Sequence, residues 1–274
     1  MKGIPAIALL FFTTIVFSQN KEQDIHLQYG VEKQHRLDLY LPDTINTRTP
    51  VLILIHGGAW MMGGNEYTEK HARDLRDKGM VVANVDYRYV SDEVHAADLL
   101  NDIDQAIDFV SKQSVTYGYS QTGYHIAGVS AGAHLALMFG YTTSRKIKSI
   151  TALCAPSRLD TEEMLQFIQK NGLLPNIELL ANAKYSGKGK PNIAFTAISP
   201  YSQIANIPTL LIHGTDDPLV PYQQSVDLSA LLQKNNVDSK LITMAGKGHD
   251  VGMNEPDSEK IVLDSIVDWI NSHL

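Results

Sequence analysis

The chain has 274 residues, is 44% hydrophobic and carries a formal net charge of −7 at pH 7. That length suits one large α/β domain or two small ones, and the absence of a basic stripe argues against a nucleic-acid partner. One cysteine, Cys154, excludes an internal disulfide and a cysteine-based zinc site; within the apolar run 150–155 it reads as a buried small hydrophobe.

The chain opens with Met1-Lys2-Gly3, an apolar run over 4–17, and then Ser18-Gln19-Asn20. A short positive start, an apolar segment and a small residue near its end have the form of a secretory signal peptide, with cleavage expected near Ser18. The alternative is an uncleaved anchor, but the run is short for a bilayer span of about 20 residues. The expectation is a secreted or periplasmic domain over 19–274 with no stable membrane insertion once the leader is removed.

Beyond the leader, residues 25–29 and 36–41 alternate apolar and polar side chains and read as two early strands, the second stopped by Pro42-Asp43. Val51–Ile55 and residues 80–85 are continuous apolar runs, as expected of strands buried on both faces. Val94, Ala97, Leu100, Ile103, Ile107 and Val110 recur near helical spacing and predict a helix over 94–110. A strand over 124–127 leads into a small, apolar and therefore buried helix over 131–140. Further strands are expected at 147–155, 208–212 and 239–244, with a closing amphipathic helix over 258–273. Strands alternating with helices predict a mostly parallel eight-stranded sheet covered on both faces, with an antiparallel pair at one edge. Residues 157–199 break the rhythm. They read as an insertion over the C-terminal edge of the sheet, a small cap with a helical stretch at 161–170, or else as ordinary surface helices and loops.

The most informative motif is Gly128-Val129-Ser130-Ala131-Gly132. It places one serine at the apex of a sharp strand-to-helix turn, with glycines two positions to either side that permit the turn and close strand–helix packing. A serine hydroxyl is a weak nucleophile at neutral pH and needs a base, which in turn needs an orienting carboxylate. In this topology the chain order should be serine, acid, histidine. The acid falls in His213-Gly214-Thr215-Asp216-Asp217-Pro218, after a strand, where Asp217 is preferred to Asp216. The base is His249, in Gly246-Lys247-Gly248-His249-Asp250 after the last strand. His56 and His213 read as loop braces, and His134 lies inside the helix that follows the serine. His56-Gly57-Gly58-Ala59-Trp60 follows the strand Val51–Ile55 and supplies a glycine loop whose amides can face a developing oxyanion, together with the amide of Ala131 at the start of that helix. Trp60 reads either as lining a substrate pocket or as a core aromatic beneath the loop.

With HGGAW at 56–60, DYR at 86–88, GVSAGAHLA at 128–136, HGTDDPLVP at 213–221 and GHD at 248–250, the chain resembles the α/β-hydrolase superfamily over 25–274. Within it the chain is similar to bacterial esterases and lipases that include feruloyl and acetyl-xylan esterase-like proteins and kynurenine formamidases. The resemblance implies the α/β-hydrolase fold, with Ser130 as nucleophile, Asp217 as acid and His249 as base. It also implies an oxyanion hole from Gly58, Ala59 and Ala131, with Gly57 forming the turn before it, and Asp86 and Arg88 as loop anchors. One departure is Ala59, which stands where lipases carry a third glycine. The implied activity is hydrolysis of carboxylic esters, with short-chain acyl or carbohydrate esters as substrates and no metal or organic cofactor. An arylformamidase-like amide hydrolase is the alternative, and a non-catalytic binding scaffold a more distant one. Nothing in the sequence specifies an oligomeric state.

Overall fold

The computed structural model describes residues 23–274. The leader expected over 1–18 lies outside the described residues. Eight strands form one sheet: β1 (Asp24–Gln28), β2 (Arg36–Tyr40), β3 (Val51–Ile55), β4 (Val81–Val85), β5 (Tyr124–Val129), β6 (Ile147–Leu153), β7 (Thr209–Gly214) and β8 (Ser239–Met244). Their spatial order is β1-β2-β4-β3-β5-β6-β7-β8. β1 and β2 pair antiparallel at one edge, β2 pairs antiparallel with β4, and every later pairing is parallel. Every residue of β3 and β4 is buried, which explains why both strands are unbroken apolar runs.

Alternate residues of each strand face opposite sides, and two apolar cores result. Val51, Ile53 and Ile55 of β3 join one core with Leu99 and Ile103 of α2 (Ala96–Tyr117), Leu135 of α3 (Ala131–Thr142) and Leu228 of α7 (Gln223–Lys234). Leu52 and Leu54 join the other with Leu75 of α1 (Glu69–Asp77) and Ile266 of α8 (Pro256–Ser272). The helix expected over 94–110 is longer and runs on to Tyr117. It stops at Gly118, whose φ of 88° is left-handed and whose N–H closes on the Ser114 carbonyl at 2.8 Å.

Between β6 and β7, residues 157–199 contain α4 (Glu162–Lys170), α5 (Leu174–Ala181) and α6 (Ile193–Ala197). Thr161 caps α4 by accepting the Met164 N–H. Gln224 of α7 fastens the start of this segment, its Oε1 accepting the N–H groups of Ser157 and Arg158 at 2.9 and 2.6 Å.

The turn from β5 into α3 is closely packed. A Cβ on Gly132 would stand 2.2 Å from the Ile55 carbonyl oxygen and 2.3 Å from that of His56; one on Gly128 would meet the Gly132 backbone at 2.3 Å. Backbone cannot yield as a flexible side chain would. Gly132→Ala is therefore expected to destabilise the domain by about 1–3 kcal/mol, read as a lower urea midpoint at unchanged slope.

Candidate active site

Ser130 sits at the apex of that turn with φ 56° and ψ −120°, a sparsely populated conformation for a side-chain-bearing residue. Two hydrogen bonds hold it: the Ser130 N–H donates to the Leu153 carbonyl of β6 at 2.8 Å, and the Ser130 carbonyl accepts the His134 N–H at 3.0 Å. The first N–H groups of α3, Ala131 included, have no acceptor within the helix, and the helix dipole there favours negative charge.

The glycine loop lies beside this apex because β3 and β5 are neighbours in register, with Ile55 opposite Gly128. Gly58, Ala59 and Trp60 take φ values of 117°, 50° and 61°, so the loop curls in the left-handed region for three residues. Gly58 tolerates nothing larger, since a Cβ there would lie 1.9 Å from the Met62 carbonyl oxygen. Several groups brace the loop. His56 Nδ1 donates to the Gly57 carbonyl at 2.5 Å, and the Tyr87 hydroxyl donates to the His56 carbonyl at 3.0 Å. The Val90 N–H reaches the Trp60 carbonyl at 2.9 Å, and Asn176 Nδ2, from α5, donates to the Ala59 carbonyl at 3.1 Å. Trp60 stands at the junction of core and cavity. It is buried and its Nε1–H donates to His134 Nδ1 at 3.2 Å, while the residue also lines the cavity at Ser130. His134 in turn donates its own Nε2–H to the Ile198 carbonyl at 2.7 Å. Burial holds both His56 and His134 at a pKa of about 4, so each is a neutral strut at ordinary pH.

Asp217 and His249 meet across 32 residues of chain, with His249 Nδ1 2.7 Å from Asp217 Oδ2. Asp217 Oδ1 accepts the N–H groups of Leu219 and Val220 at 2.8 and 2.9 Å. His213 is a third partner. Its Nε2 lies 3.0 Å from the Val220 carbonyl, which can only accept, so that nitrogen carries the proton and also reaches Asp217 Oδ2 at 3.2 Å. His213 Nδ1 then accepts from the Ser225 hydroxyl at 2.7 Å. Burial alone would raise the Asp217 carboxyl, but the hydrogen bonds from His213, His249 and the Val220 N–H outweigh it and hold the group far below the usual carboxylate range. An ionised Asp217 accepts from His249 Nδ1–H, leaving the Nε2 lone pair of a neutral imidazole free to take a proton. Asp216, by contrast, is exposed, and its carboxylate accepts from its neighbour Thr215.

Cys154, His213 and Asp217 bring three ligand-type atoms within 4.8 Å of one another, all buried. Both ring nitrogens of His213 are already engaged, and burial pushes the Cys154 thiol well up, which keeps it protonated. The trio fits a hydrogen-bonded bed under Asp217 better than a metal centre.

Ser130, Gly58, Ala59, Trp60 and His249 all line one cavity of about 780 Å3. Ala131 is buried at the first turn of α3 behind it. Asp86 and Arg88 stand away from this cavity as loop anchors: Asp86 accepts the Asn65 N–H, and Arg88 pairs with buried Asp102 at 2.7 Å.

The BD-FAE family profile matches residues 37–232, spanning β2 through most of α7. The chain belongs to the BD-FAE family. This BD-FAE chain is 28% identical over 256 residues to a probable isoprenylcysteine alpha-carbonyl methylesterase of Oryza sativa subsp. japonica, covering 87% of its own length and 61% of the relative's. It is 33% identical over 129 residues to a kynurenine formamidase of Danio rerio, covering 44% of this chain and 41% of that one. In fold, it superposes on a truncated carbohydrate esterase from gut microbiota with a TM-score of 0.73 at 20% identity, over 90% of this chain and 95% of the other. The mostly parallel eight-stranded sheet of the α/β-hydrolase fold is thus shared, and the BD-FAE chain spans about three-fifths of its rice relative.

Because the folded state depresses the Asp217 pKa, this carboxylate contributes stability that is fully present above its unfolded value near 4 and is lost as the pH falls through the folded value. Asp217→Asn is therefore expected to lower the urea midpoint at pH 7, with the gap to the unsubstituted protein narrowing as the pH falls below about 4.

Proposed function

We propose that this chain is a serine hydrolase cleaving carboxylic esters through an acyl-enzyme. The observation that carries the reading is the Asp217–His249 hydrogen bond of 2.7 Å, with Ser130 and His249 lining one cavity. His249 Nε2 takes the Ser130 hydroxyl proton as Oγ attacks the ester carbonyl, and Asp217 holds the imidazole and balances its charged form. The amides of Gly58, Ala59 and Ala131 receive the tetrahedral oxyanion, an interaction often worth about 3–4 kcal/mol of barrier. His249 then returns the proton to the leaving alcohol. Water, activated by the same imidazole, releases the acid and restores Ser130. Each turnover breaks one acyl–oxygen bond and consumes one water, so these groups need no metal or organic cofactor.

The names of the rice relative and the gut-microbiota neighbour, a methylesterase and a carbohydrate esterase, support an ester as the scissile group. Short-chain acyl or carbohydrate esters are the substrates that the family resemblance implies. The formamidase likeness favours an amide as a second reading, though it covers under half of the chain. A secreted or periplasmic site of action rests on the leader-like run at 4–17 alone. Within the helices of the described residues, none is long and apolar enough to cross a membrane.

Ser130→Ala is expected to lower turnover of p-nitrophenyl acetate by roughly 10⁴-fold or more with an unchanged unfolding midpoint. His249→Ala should cost a similar factor, and the double variant little more than either, because the two act as one unit. Retained turnover in Ser130→Ala would remove the mechanism. Faster cleavage of N-formylkynurenine than of simple esters would move the reading to the amide.

A further inference from the structure

The cavity at Ser130 draws its walls from both faces of the sheet. Leu54, Leu75 and Leu263 line it from the core under α1 and α8. Met164, Ile168 and Ile177 line it from the inserted helices α4 and α5. The nucleophile stands between these two aliphatic sides. Among the described residues no lysine or arginine lines the cavity, and the one carboxylate that does, Asp250, is already engaged, accepting the Gly252 N–H at 3.0 Å and Asn254 Nδ2 at 3.1 Å. The Thr68 hydroxyl donates to Asn84 Oδ1 at 2.7 Å, and the Trp60 Nε1–H is taken by His134. The Tyr67 hydroxyl, the His71 ring and the Asn254 amide are the other polar side-chain groups in the lining apart from Ser130 and His249, so a sugar ring entering this space would lose water from several hydroxyls and find few partners in exchange. At the mouth, Met62, Tyr67 and Leu219 line the same cavity while remaining 58%, 58% and 47% exposed. Large apolar side chains held in water at the rim of an apolar cavity mark a site for an apolar ligand.

We propose that the ester cleaved at Ser130 carries an extended aliphatic chain, and that the Leu75–Leu263 and Met164–Ile177 walls set its length. This rests on the ester-hydrolase reading above and deepens it from ester to aliphatic ester, in place of the carbohydrate ester that the family resemblance implies. A cavity of about 780 Å3 lies in the upper part of the range that encloses whole organic ligands, so a two-carbon acyl group would leave most of the apolar wall uncovered.

The test varies both arms of the ester on the unsubstituted protein. Acyl length is read with p-nitrophenyl acetate, octanoate and laurate, and alcohol length with ethyl and octyl acetate; acetylated xylan is the carbohydrate comparison. The expected result is a kcat/KM at least tenfold higher for the long member of at least one series, and poorer release of acetate from xylan than from octyl acetate. Leu263→Trp and Met164→Trp then fill one side each. One of them should reduce the long-to-short kcat/KM ratio at least tenfold, and that variant identifies the wall the chain lies on. Steadily falling kcat/KM with length in both series, better turnover of acetylated xylan than of octyl acetate, or an unaltered ratio in both folded variants would overturn the proposal. The two length series need no variant to fold. If no ester is turned over and a short fluorophosphonate fails to label Ser130, the ester-hydrolase reading itself falls and takes this proposal with it.

Discussion

The approach of α3 to the end of β3 is the constraint on which the site depends. The Ile55 and His56 carbonyl oxygens occupy the space that any side chain at position 132 would need. Register does the rest: with Ile55 opposite Gly128, the residues that follow the two strands emerge side by side. Ser130 and the Gly57–Gly58 turn are consequently neighbours, and a Cβ on Gly57 would come within 3.3 Å of the Ser130 Cβ. A nucleophile and an amide-bearing loop are thus brought together by strand pairing and one close helix contact. Holding Ser130 in its unusual backbone conformation costs on the order of 1–3 kcal/mol. The bonds to Leu153 and from His134 tie that strain into the most buried part of the domain, where it cannot relax without opening the sheet.

Histidines near the site divide into two kinds, and the division is electrostatic. His56 and His134 are kept uncharged by burial, although the Asp86 carboxylate lies 3.8 Å from His56 Nε2; each spends a ring proton on a backbone carbonyl, of Gly57 and Ile198 respectively. They are struts for the glycine loop. His249 is partly exposed and its Nδ1 faces the Asp217 carboxylate at 2.7 Å. His213 stands between the kinds. It is fully buried, yet it donates to the same carboxylate and so fixes the geometry that His249 uses. Asp86 shows the opposite balance to Asp217. Burial raises it to about 6, and the Asn65 N–H and Arg36 only partly offset that. Two buried aspartates therefore differ in charge behaviour according to the number of donors aimed at them.

Much of this was legible in the sequence, for identifiable reasons. Parallel strands buried on both faces are unbroken apolar runs, so β3 and β4 could be read to within a residue. Chemistry at strand ends follows from the order of motifs, and Ser130, Asp217 and His249 emerge where that order places them. The helices α1 and α7 were not anticipated. Of the nine residues of α1 only Ala72 and Leu75 are buried, which leaves too few apolar positions for a helical period. Partners that act across long stretches of chain were equally invisible. Asn176 reaches Ala59 over 117 positions, and nothing local to an Asn in an apolar helix announces it. From sequence His213 reads as a loop brace; that it braces the acid itself follows from the fold of the loop, in which residues 213 and 217 curl back on each other. The sequence leaves Trp60 between two roles because a side chain at the junction of core and cavity satisfies both.

The same junction explains why the sequence did not reveal the pocket walls. β5 is an interior strand, so its C-terminal end opens onto the edges of both cores at once. Side chains such as Leu75 and Leu263 then serve two purposes: they pack against the sheet, and their outer faces bound the space next to Ser130. In a one-dimensional reading they are indistinguishable from any other core leucine. The inserted helices close the other side and are themselves tied to the glycine loop through Asn176. The surface that would recognise a substrate is therefore continuous with the surface that stabilises the fold. Substitutions that tune one will disturb the other, and for that reason ratios between substrates report on this wall more directly than absolute rates.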